Sequence, residues 1–160
     1  MDPIAEARRQ WIEHDWEPAA EGMAAITSLM RAHQLALASV EAVLRPYGVS
    51  FARYEVLMLL RFSKRRALPM RTIGSRLQVH QTSVTNAVDR LEEAGLVLRR
   101  PHPSDRRTTL VELTPAGRRM AERATKALNA EVFEKPGLAT ESVRSLIEIL
   151  AEFRESAGDF

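Results

Sequence analysis

Apolar positions recur at helical spacing along most of the chain, and this pattern predicts a mainly helical protein. Residues 3–16 carry a short apolar side and predict a first helix. A long second helix is predicted over 21–45, with apolar positions three and four apart: Met23, Ile26, Met30, His33, Leu37, Val40 and Leu44. Further apolar residues widen this stripe, so we expect the helix to be buried between the rest of the chain and a partner subunit.

The middle of the chain has the pattern of a helix-turn-helix. After a helix that begins behind Ser50, a good N-cap, Ile73 and Leu77 mark a short helix. A second helix is predicted from Gln81 to about residue 94, because Val84, Val88 and Leu91 share one face. Its other faces carry short polar groups suited to base edges in the DNA major groove; these are Gln81, Thr82, Ser83, Thr85, Asn86 and Arg90. By itself, the periodicity fits an ordinary helical hairpin equally well.

A basic hairpin follows this helix and favours the DNA-binding interpretation. Residues 96–100 and 108–113 have strand composition. The loop over 101–107 contains two prolines, which stiffen it, and Arg106 and Arg107, which would reach phosphates or a narrow minor groove. Asp105 would orient an arginine through a bidentate ion pair. The alternative is a solvated turn with surface charge.

Two amphipathic helices are predicted at the end of the chain. Thr114-Pro115 is a strong start signal, an N-cap followed by proline, and this helix should run to about residue 133. The last helix starts at Thr140 and carries an apolar face; its members are Val143, Leu146, Ile147, Leu150 and Phe153. Because a small lobe cannot bury both apolar stripes, we expect them to pack on the N-terminal helices and on a second subunit.

Charge distribution supports nucleic-acid binding more than net charge does. The whole chain of 160 residues carries only +2. Residues 61–107 hold eleven Lys or Arg and four Asp or Glu, a local net of +7, which leaves −5 for the remainder. A basic middle between acidic flanks is typical of a DNA-binding module.

Other classes find little support in the sequence. There is no cysteine, so thiol redox sensing and cysteine metal sites are excluded. No secretory signal and no apolar run of about 20 residues occurs, so we expect a cytoplasmic protein without a membrane span. The four histidines are scattered and lack metal-ligand spacing. We therefore expect that the protein has no catalytic site, metal or cofactor and that it is not an enzyme.

The order of these motifs resembles the MarR family of bacterial winged helix-turn-helix regulators. The resemblance covers about residues 22–153 and rests on Asp-Arg-Leu-Glu-Glu-Ala-Gly-Leu-Val at 89–97 and on the wing. The family's Asp-x-Arg motif falls on Asp105 and Arg107, and its Leu-Thr-x-x-Gly motif falls on residues 113–117. His80 departs from the pattern, which usually has a small N-cap there. Since His caps poorly, either a nearby hydroxyl substitutes or His80 contacts DNA or ligand.

The resemblance also implies a small-molecule effector, often anionic or aromatic, bound where the long helix, the next helix and the DNA lobe meet. Trp11, Met30, His33 and Glu55 are the candidates. The first helix resembles the extra helix of the urate-responsive branch, but Ala87 stands where that branch has an arginine, so we do not expect urate. Trp11 has packing as its commoner alternative role. A satisfied core residue is our favoured interpretation of His33, with ligand binding or pH response as the alternative.

Together these observations predict a mainly α protein with a small β wing. Its parts would be an N-terminal extension helix (1–18), a helical dimerisation region (19–48), a winged helix-turn-helix lobe (49–114) and C-terminal dimerisation helices (115–160). The expected function is a homodimeric repressor that binds a near-palindromic operator in double-stranded DNA and is released by its effector. The alternatives are a sequence-nonspecific architectural protein, and an enzyme or metabolite-binding protein that reuses the fold.

Overall fold

The computed structural model describes residues 1–160 as seven α-helices and one three-stranded antiparallel sheet. The helices are α1 (Pro3–Glu13), α2 (Glu17–Leu44), α3 (Phe51–Phe62), α4 (Met70–Leu77), α5 (Gln81–Glu93), α6 (Pro115–Leu128) and α7 (Thr140–Ser156). The strands are β1 (Ala67–Pro69), β2 (Val97–His102) and β3 (Asp105–Leu113), in the order β1-β3-β2. A 3-10 turn follows α2, and a π-helical turn continues α6 over Asn129–Phe133.

The predicted order of helices and the mainly α class with a β wing are confirmed. Local signals explain several boundaries. The Ser50 hydroxyl accepts a hydrogen bond from the Arg53 N–H at 3.4 Å and so caps α3. Gly48 before it adopts a left-handed φ of 70° that suits glycine. Thr114 accepts from the Gly117 N–H at 2.9 Å and caps α6 as its Thr-Pro signal predicts.

The wing differs from the sequence-based expectation in two ways. The predicted seven-residue loop over 101–107 is wrong, because strands β2 and β3 extend into it and leave a tight turn at Pro103 and Ser104. Pro101 is tolerated in β2 because this is an edge strand, and a bulge follows it. Strand β1 was not foreseen; its three residues pair with the root of β3, Ala67 lying opposite Glu112.

One apolar core lies inside the helix-turn-helix lobe and against α6. The stripe that predicts α5, Val84, Val88 and Leu91, is fully buried there. Leu57 and Leu60 of α3 pack into the same cluster, as do Ala121, Ala124 and Leu128 of α6. The lobe and α6 therefore share one core, and α6 connects the lobe to the C-terminal region.

The N- and C-terminal helices leave much of their apolar surface uncovered. Helices α1 and α7 contain no buried residue, and α2 buries only three. Residues 31–39 of α2 are exposed throughout, so burial of the long helix is not achieved within one chain. His33 lies in this stretch and is exposed in the single chain, so its interpretation as a core histidine requires burial by a partner subunit and stays a prediction. No helix here combines the length and apolar character needed to cross a membrane.

Candidate nucleic-acid interface

The turn between α4 and α5 fixes the angle of the helix that we call the reading helix, α5. Gln78 ends α4 in the left-handed region, with φ 53°, and the Val79 N–H closes the turn on the Gly74 carbonyl at 3.2 Å. A Cβ on Gly74 would lie 3.3 Å from a methyl of Val84, so the two helices approach closely at this point. The inner face of α5 is thereby held in the core and its outer face is presented to solvent.

His80 is itself the N-cap of the reading helix. Its Nδ1 accepts a hydrogen bond from the Thr82 N–H at 3.3 Å, with extended backbone at φ −61° and ψ 144°. No neighbouring hydroxyl substitutes as the cap, which corrects the first alternative drawn from the sequence. The contact is long for a hydrogen bond, so this cap is weaker than a serine would provide.

The predicted contact residues of the reading helix are accessible. Gln81, Thr82, Ser83, Asn86 and Arg90 are exposed, and Thr85 is half-buried. The Thr85 hydroxyl donates to the Gln81 carbonyl at 3.0 Å, which turns it towards its own helix. Arg90 pairs with Glu93 at 3.0 Å on the exposed surface. The arrangement leaves short amide and hydroxyl groups near the N-terminal end, and the arginine one turn further along.

At the wing tip, Asp105 acts on the backbone rather than on an arginine side chain. Its carboxylate accepts from the Arg107 N–H at 3.0 Å and from the Thr108 hydroxyl at 2.6 Å. The Thr108 hydrogen bond, followed by that of Arg107, lowers the pKa of Asp105. The expected bidentate ion pair is wrong, because the carboxylate oxygens are taken by the turn. Arg106 and Arg107 are exposed and form no ion pair within the chain.

The wing and the reading helix meet at one surface cleft. A cavity of about 410 Å³ is lined by Gln81 from α5 and by Asp105 and Arg107 from β3. Arg71, in the first turn of α4, lines the same cleft and was missed by the sequence reasoning. A second cleft of about 410 Å³ places Arg53 of α3 beside Ser83, Asn86 and Arg90. These two arginines lie beside the reading helix only because α3 and α4 pack against α5.

Arg99 fastens the wing to the reading helix. Its guanidinium contacts Glu92 and Asp89, each at 2.5 Å. The backbone N–H of Arg99 also donates a hydrogen bond to the Glu92 carboxylate at 2.9 Å. The Arg99 backbone N–H and then its guanidinium lower the pKa of Glu92. Because β2 and α5 are linked by three contacts, the wing and the reading helix should move as one body.

The four candidate ligand residues are not gathered around any of the main cavities of the single chain. Trp11 is half-buried against Trp16, with ring centroids 5.3 Å apart. Met30 and His33 are exposed on α2, Met30 by 61%. Glu55 is half-buried on α3, and burial raises its pKa. None of the four lines any of the five main cavities.

Comparison with known proteins finds transcriptional regulators. The family model described as the MarR family matches residues 50–109. The chain is 34% identical over 88 residues to the HTH-type transcriptional regulator PapX of Escherichia coli, covering 55% of this chain and 54% of PapX. It is 35% identical over 112 residues to the uncharacterized HTH-type transcriptional regulator YdgJ of Bacillus subtilis, covering 68% of this chain and 66% of YdgJ. The matches thus span between half and two thirds of these relatives.

Solved structures are similar over more of the chain. Sco5413, a MarR family transcriptional regulator from Streptomyces coelicolor, is 50% identical, with a TM-score of 0.80 over 88% of this chain and 97% of that one. Sco3205 from the same organism, solved in complex with DNA, is 29% identical, with a TM-score of 0.74 over 86% and 88%. CouR from Rhodococcus jostii, solved with p-coumaroyl-CoA, is 28% identical, with a TM-score of 0.67 over 78% and 87%.

Proposed function

This chain belongs to the MarR family of transcriptional regulators, and we propose that it is a homodimeric repressor that binds a near-palindromic operator in double-stranded DNA. Family membership makes it a regulator and not an enzyme. The observation that carries the proposal is the shared surface of the reading helix and the wing. That surface presents amide, hydroxyl and guanidinium groups from two rigidly linked elements.

In this proposal the two elements have different tasks. Gln81, Thr82, Ser83, Thr85, Asn86 and Arg90 contact bases or phosphates in the major groove. Arg106 and Arg107 enter or border the minor groove, and Asp105 shapes the turn that presents them. Arg53 and Arg71 join the predicted set as phosphate contacts, since each lines a cleft with reading-helix residues. The contact of Sco3205 with DNA supports this assignment by similarity.

The homodimer is supported by the apolar surface that a single chain leaves uncovered. Large apolar side chains on α2 and α7 are exposed by 38–62%; among them are Ile26, Met30, Leu37, Leu146, Ile147, Ile149 and Phe153. Ile26 of α2 and Leu146 and Phe153 of α7 line one shared groove, and contiguous apolar surface of this kind usually marks an interface. A two-fold dimer would set two reading helices about one DNA turn apart. Residues 19–48 and 115–160 then supply the dimerisation region, with the lobe at 49–114 and the extension at 1–18.

We further propose that a small anionic or aromatic metabolite releases the operator. Trp11, Met30, His33 and Glu55 remain the candidate contacts, and the pocket would be completed by the partner subunit. The binding of p-coumaroyl-CoA by CouR supports an aromatic carboxylate derivative as a starting class. The effector must bind the DNA-free arrangement of the dimer more tightly than the DNA-bound one. A cytoplasmic location also stays a prediction.

A mobility-shift titration tests the DNA assignment. The probes are the DNA upstream of the protein's own gene and random DNA of equal length, at several salt concentrations. Arg107→Ala should weaken binding to both probes and lower the salt slope by about 1, as expected for one phosphate contact. Asn86→Ala should change base preference and weaken upstream DNA selectively.

Arg9→Ala on α1 is the matched control, because it removes one exposed arginine outside both the proposed DNA interface and the proposed dimerisation region. Its binding and salt slope should match those of the unmodified protein. Equal binding of the unmodified protein to both probes would contradict operator recognition and favour an architectural protein. An unchanged slope for Arg107→Ala would contradict a phosphate contact at the wing.

A further inference from the structure

A strongly basic cavity lies at the root of the sheet, where β3 ends and α6 begins. Its volume is about 860 Å³, and only one of its ten lining residues is hydrophobic. Five cations line it: Lys64, Arg65 and Arg66 from the loop before β1, and Arg118 and Arg119 from α6. Glu112 and Glu122 are the two lining carboxylates. We call this space the root cavity.

Both carboxylates of the root cavity are already paired. Glu122 contacts Arg118 at 2.9 Å and Arg61 at 3.2 Å, and Glu112 contacts Arg100 at 2.8 Å. No ion pair involves the other four lining cations, which are Lys64, Arg65, Arg66 and Arg119. Uncompensated like charges around one concave space repel each other, and a bound anion would relieve that repulsion.

The backbone holds the two groups of cations in a fixed relation. Arg66 adopts a left-handed φ of 54°, which is costly for a residue with a side chain. Its carbonyl accepts a hydrogen bond from the Leu113 N–H at 2.8 Å, next to the start of α6. The basic loop is therefore attached to the same point from which Arg118 and Arg119 project.

The proposed DNA surface does not account for these cations. The wing tip at Asp105 and the root cavity at Leu113 are the two ends of β3. Eight steps of an antiparallel strand span roughly 27 Å, more than three times the screening length of about 8 Å at physiological salt. The root cavity also shares no lining residue with either cleft at the reading helix.

We propose that the root cavity binds a phosphate-rich anion, such as the phosphate chain of a nucleoside triphosphate or of inorganic polyphosphate. Arg65, Arg66, Lys64 and Arg119 would contact the phosphate oxygens, since guanidinium groups match phosphate geometry well. The near absence of apolar lining means that the phosphates, not an aromatic ring, are recognised. Because the cavity spans the junction between the lobe and α6, the anion would stiffen the link to the C-terminal helices.

Isothermal titration calorimetry of the full chain with sodium tripolyphosphate tests this assignment in the absence of DNA. The measurement uses physiological salt, with inorganic phosphate as the weaker comparison. We expect one tripolyphosphate per protomer, bound more than tenfold more tightly than inorganic phosphate. The double variant Arg65→Ala/Arg119→Ala should bind tripolyphosphate at least tenfold more weakly, because charge-assisted hydrogen bonds are lost.

The matched control is Arg8→Ala/Arg9→Ala, which removes the same charge from exposed positions of α1, outside the cavity and outside the proposed dimerisation region. Its affinity should be unchanged, and circular dichroism should show that both double variants are folded. No binding by the unmodified protein, or equal weakening in both double variants, overturns the proposal.

A DNA titration separates this site from a further DNA-backbone contact. The salt slope for operator binding should be the same in Arg65→Ala/Arg119→Ala as in the unmodified protein, and a lower slope overturns the proposal. Because tripolyphosphate binding is measured without DNA, its failure leaves the proposed repressor function standing. Failure of operator binding likewise leaves the root cavity testable.

Discussion

Gly117 lies where the start of α6 packs against the residue before β2, and replacing it should test how the lobe is joined to the C-terminal region. A Cβ at this position would lie 2.0 Å from the carbonyl oxygen of Leu96 and 2.8 Å from a side-chain carbon of Leu113. Ordinary contacts begin near 3.4 Å. The obstacle is backbone, so Gly117→Ala would force the start of α6 to withdraw by about 1.4 Å, the difference between these distances.

The free energy of that movement can be worked from the contacts that hold α6 in place. Thr114 donates its N–H to the Leu96 carbonyl at 3.1 Å and its hydroxyl to the Gly95 carbonyl at 2.8 Å. Loss of both hydrogen bonds costs about 2 kcal/mol, and residual overpacking costs about 2 kcal/mol more. Alanine regains about 1 kcal/mol through its helix propensity. The net loss of unfolding free energy should therefore be about 3 kcal/mol.

Urea unfolding followed by circular dichroism, at a fixed protomer concentration, measures this loss. Gly22→Ala is the matched control, because Gly22 is an exposed helical glycine with nothing within 4 Å of its would-be Cβ. The control should gain up to about 1 kcal/mol. A loss below about 1 kcal/mol for Gly117→Ala, at unchanged m-value, would refute the steric argument.

Three further predictions concern the dimer, the cap of the reading helix and a half-buried acid. Ile147 of α7 is 62% exposed, so Ile147→Glu should convert the dimer to folded monomers. Size-exclusion chromatography with light scattering measures this, and a persistent dimer would show that this face of α7 is not the dimer interface. His80→Ser should raise the unfolding free energy by about 0.5–1 kcal/mol, because serine caps better than the 3.3 Å histidine contact; thermal melting that shows a loss would contradict a capping role. Burial raises the pKa of Glu55 above its usual 4.5, so the folded state holds this proton more tightly, and stability should fall as pH rises from about 4.5 through the raised pKa. Glu55→Gln should flatten that part of the stability profile, and parallel profiles for the two proteins would show that Glu55 is not the group responsible.

Local sequence signals determined the helices and the polarity of the reading helix. The spacing of Val84, Val88 and Leu91 was enough to identify the buried face of α5, since burial follows helical periodicity. Thr114-Pro115 marked the start of α6, because N-caps act within one turn. Motif order also indicated the family. The helix faces and caps depend on residues no more than a few positions apart, and the motif order can be followed along the chain without any knowledge of packing.

Tertiary structure alone decided which distant groups meet. Arg53 and Arg71 reach the candidate interface because α3 and α4 pack around α5, and Glu92 serves Arg99 because β2 returns beside the reading helix. The root cavity arises in the same way, from a loop and a helix start about fifty residues apart in sequence. Such contacts depend on how elements pack, and neither spacing nor composition encodes that locally. The packing of the uncovered faces of α2 and α7 is not decided even by the tertiary structure of one chain, because these faces need a surface that one folded chain does not supply.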